Sequence, residues 1–165
     1  MRLGFRLKHY FFSAFRELFV YHHGSLEFRA KIYTLLIAVN ETINVQNYIL
    51  VKQHALEVYK NDEDRANLLL LSTKEYVSKI HEKKGLKIDS LIDQIQKKLK
   101  QTPRYAKKID VEFLYNFVDL ADSDDTALYQ QNIIEFLQKL KEETLGLKEQ
   151  TEQTNTEERT DGSSD

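Results

Sequence analysis

The stretch "VDLADSDDTALYQQNIIEFL", residues 118 to 137, decides how this chain is read. Two apolar segments with helical spacing flank a polar break that carries Asp122, Asp124 and Asp125. Apolar residues recur three and four positions apart on both sides, with Phe117, Val118 and Ala121 before the break and Ile133, Ile134, Phe136, Leu137 and Leu140 after it. That spacing puts each set on one face of a helix. The break is therefore the bend of a helical pair. Its three carboxylates leave two readings open, a cation site or a polar turn that caps the second helix.

Working outward, the same pattern fills the rest of the chain. Ser25 opens a helix whose stripe is Leu26, Ile32, Leu35, Leu36 and Val39. Asn44 is placed to cap the next, with Ile49, Val51, Ala55, Val58 and Tyr59 inward. Asn61 or Asp62 caps a third, with acids in its first turn, Leu68, Leu69, Leu71, Tyr76, Val77 and Ile80 as its stripe, and Gly85 as its stop. A shorter helix capped at Asp89 or Ser90 carries Leu91, Ile92, Ile95 and Leu99, and Pro103 follows it. Asp110 then caps the segment that leads into the opening stretch, with Ile109 and Leu114 spaced as a hydrophobic staple.

Composition agrees with helices. The 165 residues include one proline and five glycines, too little punctuation for the many turns of an all-β fold. With no cysteine, disulfides, thiolate metal sites and cysteine nucleophiles are excluded, and a cytoplasmic protein is expected. The fold expected is an all-α bundle of six or seven helices, built from two antiparallel hairpins and an N-terminal amphipathic helix.

The net charge of −2 hides two opposed ends. Residues 1–23 are basic and aromatic, and on a helix they present Arg2, Arg6, His9 and Arg16 along one stripe and a wide apolar face. Charged residues interrupt every run long enough to span a bilayer, so a transmembrane helix is excluded there. Three uses of this segment are open. Arg2, Arg6, Lys8 and Arg16 beside Phe11, Phe12, Phe15 and Phe19 suit an anionic membrane surface or a protein partner. The same face suits a core helix or self-association, and single-stranded nucleic acid is the least favoured ligand. At the other end, residues 147–165 are acidic and almost free of apolar side chains, and they read as a disordered tail after a domain over residues 24–146.

No phosphate loop, nucleophile elbow or zinc spacing occurs, which leaves no recognisable catalytic motif. His22 and His23 adjoin Gly24 and read as a boundary pair rather than metal ligands. An EF-hand fails as well, because its glycine and its final glutamate would fall on Ala127 and Ile133.

Sliding the chain on itself by 82 positions lays "IAVNETINVQNY" over "DLADSDDTALYQ", with Leu36 on Val118, Val51 on Ile133 and Asn40 on Asp122. Two bends of this kind, over roughly residues 25 to 145, resemble the TerB-like family, the helical domain of tellurite-resistance protein B and of DnaJ-like membrane co-chaperones. That family's turn runs Ala-Asp-Gly-x-Ile/Leu-Ser-x-x-Glu. Here Ala121 and Asp122 are kept, Ser123 replaces the glycine, and Tyr129 or Gln130 takes the glutamate's place. The first bend has Asn40 for the aspartate, Glu41 for the glycine, and Asn47 or Tyr48 for the glutamate.

The resemblance implies a non-enzymatic interaction module in a bacterial stress setting, working in the cytoplasm or on the inner face of the membrane. It also implies divalent-cation binding by the turn acids, here Asp122, Asp124 and Asp125. Since the carboxylate that would return from the following helix is missing in both halves, the residues themselves favour turn and cap, with no cofactor required. A cation-responsive module and a small enzyme without a recognisable motif remain as alternatives.

Overall fold

A computed structural model describes residues 24–161. The basic aromatic segment, with Arg2, Arg6, Lys8, Phe11, Phe12, Phe15, Arg16 and Phe19, lies outside the described residues.

The described residues form an all-α bundle without a strand. In chain order the helices are α1 (Gly24–Ile37), α2 (Gln46–Val58), α3 (Glu63–His81), α4 (Ile88–Gln101), a 3-10 turn (Pro103–Lys108), α5 (Val111–Leu114), which runs directly into a second 3-10 turn (Tyr115–Leu120), and α6 (Asp124–Asp161). α1 is the hub. Its last two turns, Ile32 to Ile37, are buried on every face, because α3, α4, α6 and both 3-10 turns pack around it. A helix enclosed in this way is apolar all round rather than striped. Thr34, its one polar residue there, returns its hydroxyl to the Ala30 carbonyl at 2.7 Å.

Local signals fix several boundaries. The Asp62 carboxylate accepts the Arg65 N–H at 3.1 Å and starts α3, and Asp110 accepts the Phe113 N–H at 3.1 Å and starts α5. Both Ile109 and Leu114 are buried on either side of that cap. Other expectations shift. α3 stops at Glu82 because Lys83 takes a left-handed conformation (φ 53°), and Gly85 (φ 81°) comes later in the turn. α4 begins at Ile88 after Lys87, which places Asp89 in the first turn instead of at the cap. Ile49 and Leu71, expected inward, are 41% and 37% exposed, and the buried line on α2 is Asn47, Val51 and Ala55.

The two helix pairs also differ. The second 3-10 turn packs on α6, whereas α1 and α2 each pack mainly on α3, which lies between them. Finally, α6 does not fade at Gly146. It runs to Asp161, so residues 147–161 are helical where a disordered tail is expected. A chain without apolar residues cannot build a core, but this one extends a helix already nucleated by packing at Ile134 and Leu137, and elongation adds a hydrogen bond for each residue fixed. Glu, Gln and Lys are good helix formers, and Gln138 to Glu142 (3.0 Å) and Thr154 to Gln150 (2.9 Å) bond along it.

Candidate functional site: the two clasped bends

The bend after α1 and the bend before α6 meet. The Asn40 side-chain carbonyl accepts the Asp122 backbone N–H at 3.0 Å, while its amide donates to the Ile37 carbonyl at 2.9 Å. In return the Asp122 carboxylate accepts the Glu41 and Thr42 N–H groups at 2.7 and 2.9 Å. Each bend thus satisfies the other's backbone. These are the two residues that superpose in the internal repeat, 82 positions apart.

Two backbone donors on one carboxylate favour its ionised form. The Asp122 carboxyl is accordingly held below the usual carboxylate range, first by the Thr42 N–H, with the Thr126 hydroxyl and the Glu41 N–H adding to it. A lowered native pKa gives stability that is present above the unfolded value and lost as pH falls through the native one. Acid therefore loosens the clasp. Asp124 and Asp125 have a different place, in the first turn of α6, where carboxylates meet the positive end of the helix dipole. The cap itself is Ser123, whose hydroxyl oxygen accepts the Thr126 N–H at 3.1 Å. The three aspartates do not converge, and among the described residues no three His, Asp or Glu side chains are arranged to hold a metal ion. Asp122 thus bonds the opposite bend through Glu41 and Thr42 as well as its own through Thr126.

Beneath the bends two amides are buried. Gln130 donates from Nε2 to the Leu36 carbonyl at 2.7 Å, so a side chain of α6 closes the open C-terminal end of α1. Asn47 donates to the Asn44 carbonyl at 3.0 Å. Among the described residues the carbonyl oxygens of both amides have no hydrogen-bond partner. Above them a groove of about 670 Å³ separates the bends, with Val39, Thr42 and Asn44 on one wall and Leu120, Ala121 and Asp125 on the other. His81 anchors the first bend from α3, its Nε2 lying 2.9 Å from the Ala38 carbonyl.

A second cluster lies between α1, α2 and α5. The His54 ring stacks on Phe113, with centroids 3.6 Å apart and planes 7° from parallel, and Tyr33 meets both rings edge-on. Tyr33, Phe113 and Phe117 are core, as their helix positions imply. The role of His54 is not visible in the sequence, since Phe113 and Asp110 come from a distant segment. Burial lowers the His54 pKa, and it outweighs Asp110 (3.9 Å from Nε2) and Glu57 (3.6 Å from Nδ1), which favour the charged ring. A histidine buried neutral destabilises the fold as pH falls through the unfolded value of about 6.5 toward its native one. Urea denaturation from pH 7.5 to 5 should therefore show falling stability in the wild type and a shallower fall in His54→Gln. Equal slopes would mean that the ring charges without cost.

In comparison with known proteins, no family model matches this chain, and neither the curated proteins nor the solved structures give a match. The class defined by the fold is an all-α helical bundle whose two bends are joined by reciprocal side-chain to backbone bonds. No described helix is long and apolar enough to cross a membrane.

Proposed function

We propose that the chain is a non-enzymatic, TerB-like interaction module that docks a protein partner and, through residues 1–23, the anionic inner face of a membrane during a stress response. The observation that carries this reading is the clasp between Asn40 and Asp122. Reciprocal bonding of equivalent residues at two bends supports a duplicated helix pair, the arrangement the resemblance implies. The groove between the bends mixes apolar walls with hydroxyl and amide groups, a lining suited to a peptide segment. Apolar side chains stand exposed in the first two turns of the helices that leave the bends, Ile49 on α2 and Leu128 and Tyr129 on α6.

Co-sedimentation of the full chain with anionic and neutral vesicles, at low and high salt, tests the membrane arm. Binding that is salt-sensitive, selective for anionic vesicles and lost when Arg2, Arg6, Lys8 and Arg16 are replaced by glutamine is the expected result. No sedimentation of the wild type at low salt would remove the membrane from the reading.

The divalent-cation alternative draws on Asp122, Asp124 and Asp125, of which Asp122 and Asp125 line the groove. Millimolar calcium should leave the melting temperature unchanged, because the Asp122 carboxylate is already engaged by two N–H groups. A rise that Asp124→Asn/Asp125→Asn abolishes would put the cation-responsive module in place of the present reading.

A further inference from the structure

Two oppositely charged stretches begin at the same end of the bundle, because α6 runs against α1. Near the start of α6 the Gln130 amide meets the Leu36 carbonyl at 2.7 Å, at the C-terminal end of α1. About 16 Å of helix further on, Lys141 reaches the Ile109 carbonyl at 2.7 Å, where the first 3-10 turn ends. That turn packs against α6 and carries Tyr105, and a side chain at Gly24 would meet the Tyr105 hydroxyl at 3.3 Å. Gly24 opens α1, so residues 1–23 join the bundle beside the point at which α6 leaves it.

Among the described residues Leu145 is the last on α6 that packs against the core. Leu147 is 66% exposed, and Glu149, Gln150, Glu152 and Gln153 beyond it are exposed as well. From Leu147 to Asp161 the helix projects by about 20 Å. Its charge is one-sided. Residues 142–161 hold seven acids and two bases, so most of the carboxylates have no counter-ion within the stretch. Glu149 and Glu152, one turn apart, repel each other on one face. Glu157, Glu158 and Asp161 occupy the last turns, where the negative end of the helix dipole favours cations. A basic segment laid alongside reverses the sign of each of these interactions. Residues 1–23 are such a segment, with Arg2, Arg6, Lys8 and Arg16 against Glu17 alone. Reach is no obstacle, since a stretch of that length spans at least about 30 Å in any regular conformation.

We propose that residues 1–23 dock along the projecting end of α6, with their cations against its acids. Because both belong to one chain, the contact forms at the roughly millimolar effective concentration of a short tether. It engages the cations that an anionic membrane would bind. The end of α6 therefore weakens membrane attachment, and an anionic surface in turn draws the segment off α6. This competition rests on the membrane reading above; the contact itself does not.

The test uses the full chain, whose lack of cysteine lets two introduced thiols be labelled uniquely. Ser13→Cys/Gln153→Cys carries spin labels for distance measurement at low and high salt, with and without Glu142→Gln/Glu149→Gln/Glu152→Gln. Asp64→Asn/Asp93→Asn/Asp119→Asn, at exposed positions elsewhere on the bundle, removes the same charge as a control. A short, narrow distance at low salt that broadens in high salt and in the glutamate variant, but not in the control, supports the contact. Vesicles rich in phosphatidylserine should then bind the glutamate variant about fivefold more tightly than the control. Equal binding by the two overturns the competition. The short distance without vesicle binding by any of these proteins supports the contact and overturns the membrane reading alone. A broad distribution in the wild type, or one unchanged by salt and by the glutamate substitutions, overturns the proposal. So does a short distance that disappears on dilution with unlabelled chain, since the contact then lies between two copies.

Discussion

Replacing Gln130 by glutamate is expected to destabilise the fold by about 3–4 kcal/mol at pH 7 and by only about 1 kcal/mol at pH 5. The side chain is fully buried, and it bonds the Leu36 carbonyl at the end of α1. A carboxylate there faces a carbonyl oxygen in a dry setting, which pushes its native pKa well above the unfolded value of about 4.3. The sign follows directly. A raised carboxyl pKa gives stability that is intact below the unfolded value and is lost progressively as pH rises above it. The protonated acid also keeps an O–H that can donate to Leu36, so little besides the ionisation term is lost at low pH. Urea denaturation of wild type and variant at both pH values gives the difference, and the shared effects of His54 and Asp122 cancel in it. An equal loss at pH 5 and pH 7 would show that water reaches Gln130 and that it does not form a dry bridge between α6 and α1.

What the sequence revealed about this site and what it concealed divide along the distance over which each contact acts. The caps at Asp62 and Asp110 were legible because donor and acceptor lie within one turn of each other. The equivalence of Asn40 and Asp122 was legible as an offset in the chain, but the direction of their bonds was not. A short polar residue at a bend bonds its own backbone by default, and only the docking of two bends offers it another's. Ile49 and Leu71 lie outside the buried face for a related reason: helical spacing marks a broad face, and the partner helix decides which edge of that face is covered. The extension of α6 was hidden by composition, which reports whether a segment can bury a core and not whether a packed helix can grow through it.

Asn40→Ala should cost about 2 kcal/mol, although it removes only a few atoms. Asn40 is 1% exposed, and its side chain holds one backbone group on each side of the clasp, the Ile37 carbonyl and the Asp122 N–H. Alanine leaves the Asp122 N–H without its acceptor in a part-buried setting, and it takes one of two donors from the Ile37 carbonyl, which keeps the backbone N–H of residue 40 at 3.2 Å. The loss should also spread. Once the Asp122 N–H is released the second bend is no longer held, and the hydrogen bonds from Glu41 and Thr42 to the Asp122 carboxylate weaken with it. Asp122→Ala is therefore expected to add little to Asn40→Ala in the double variant, since contacts that form as one unit are lost as one unit. Chemical denaturation of the two single variants and the double variant measures this coupling. Strict additivity would mean that each bend is stable alone, and the clasp would then be a consequence of helix packing and not the feature that sets the width of the groove.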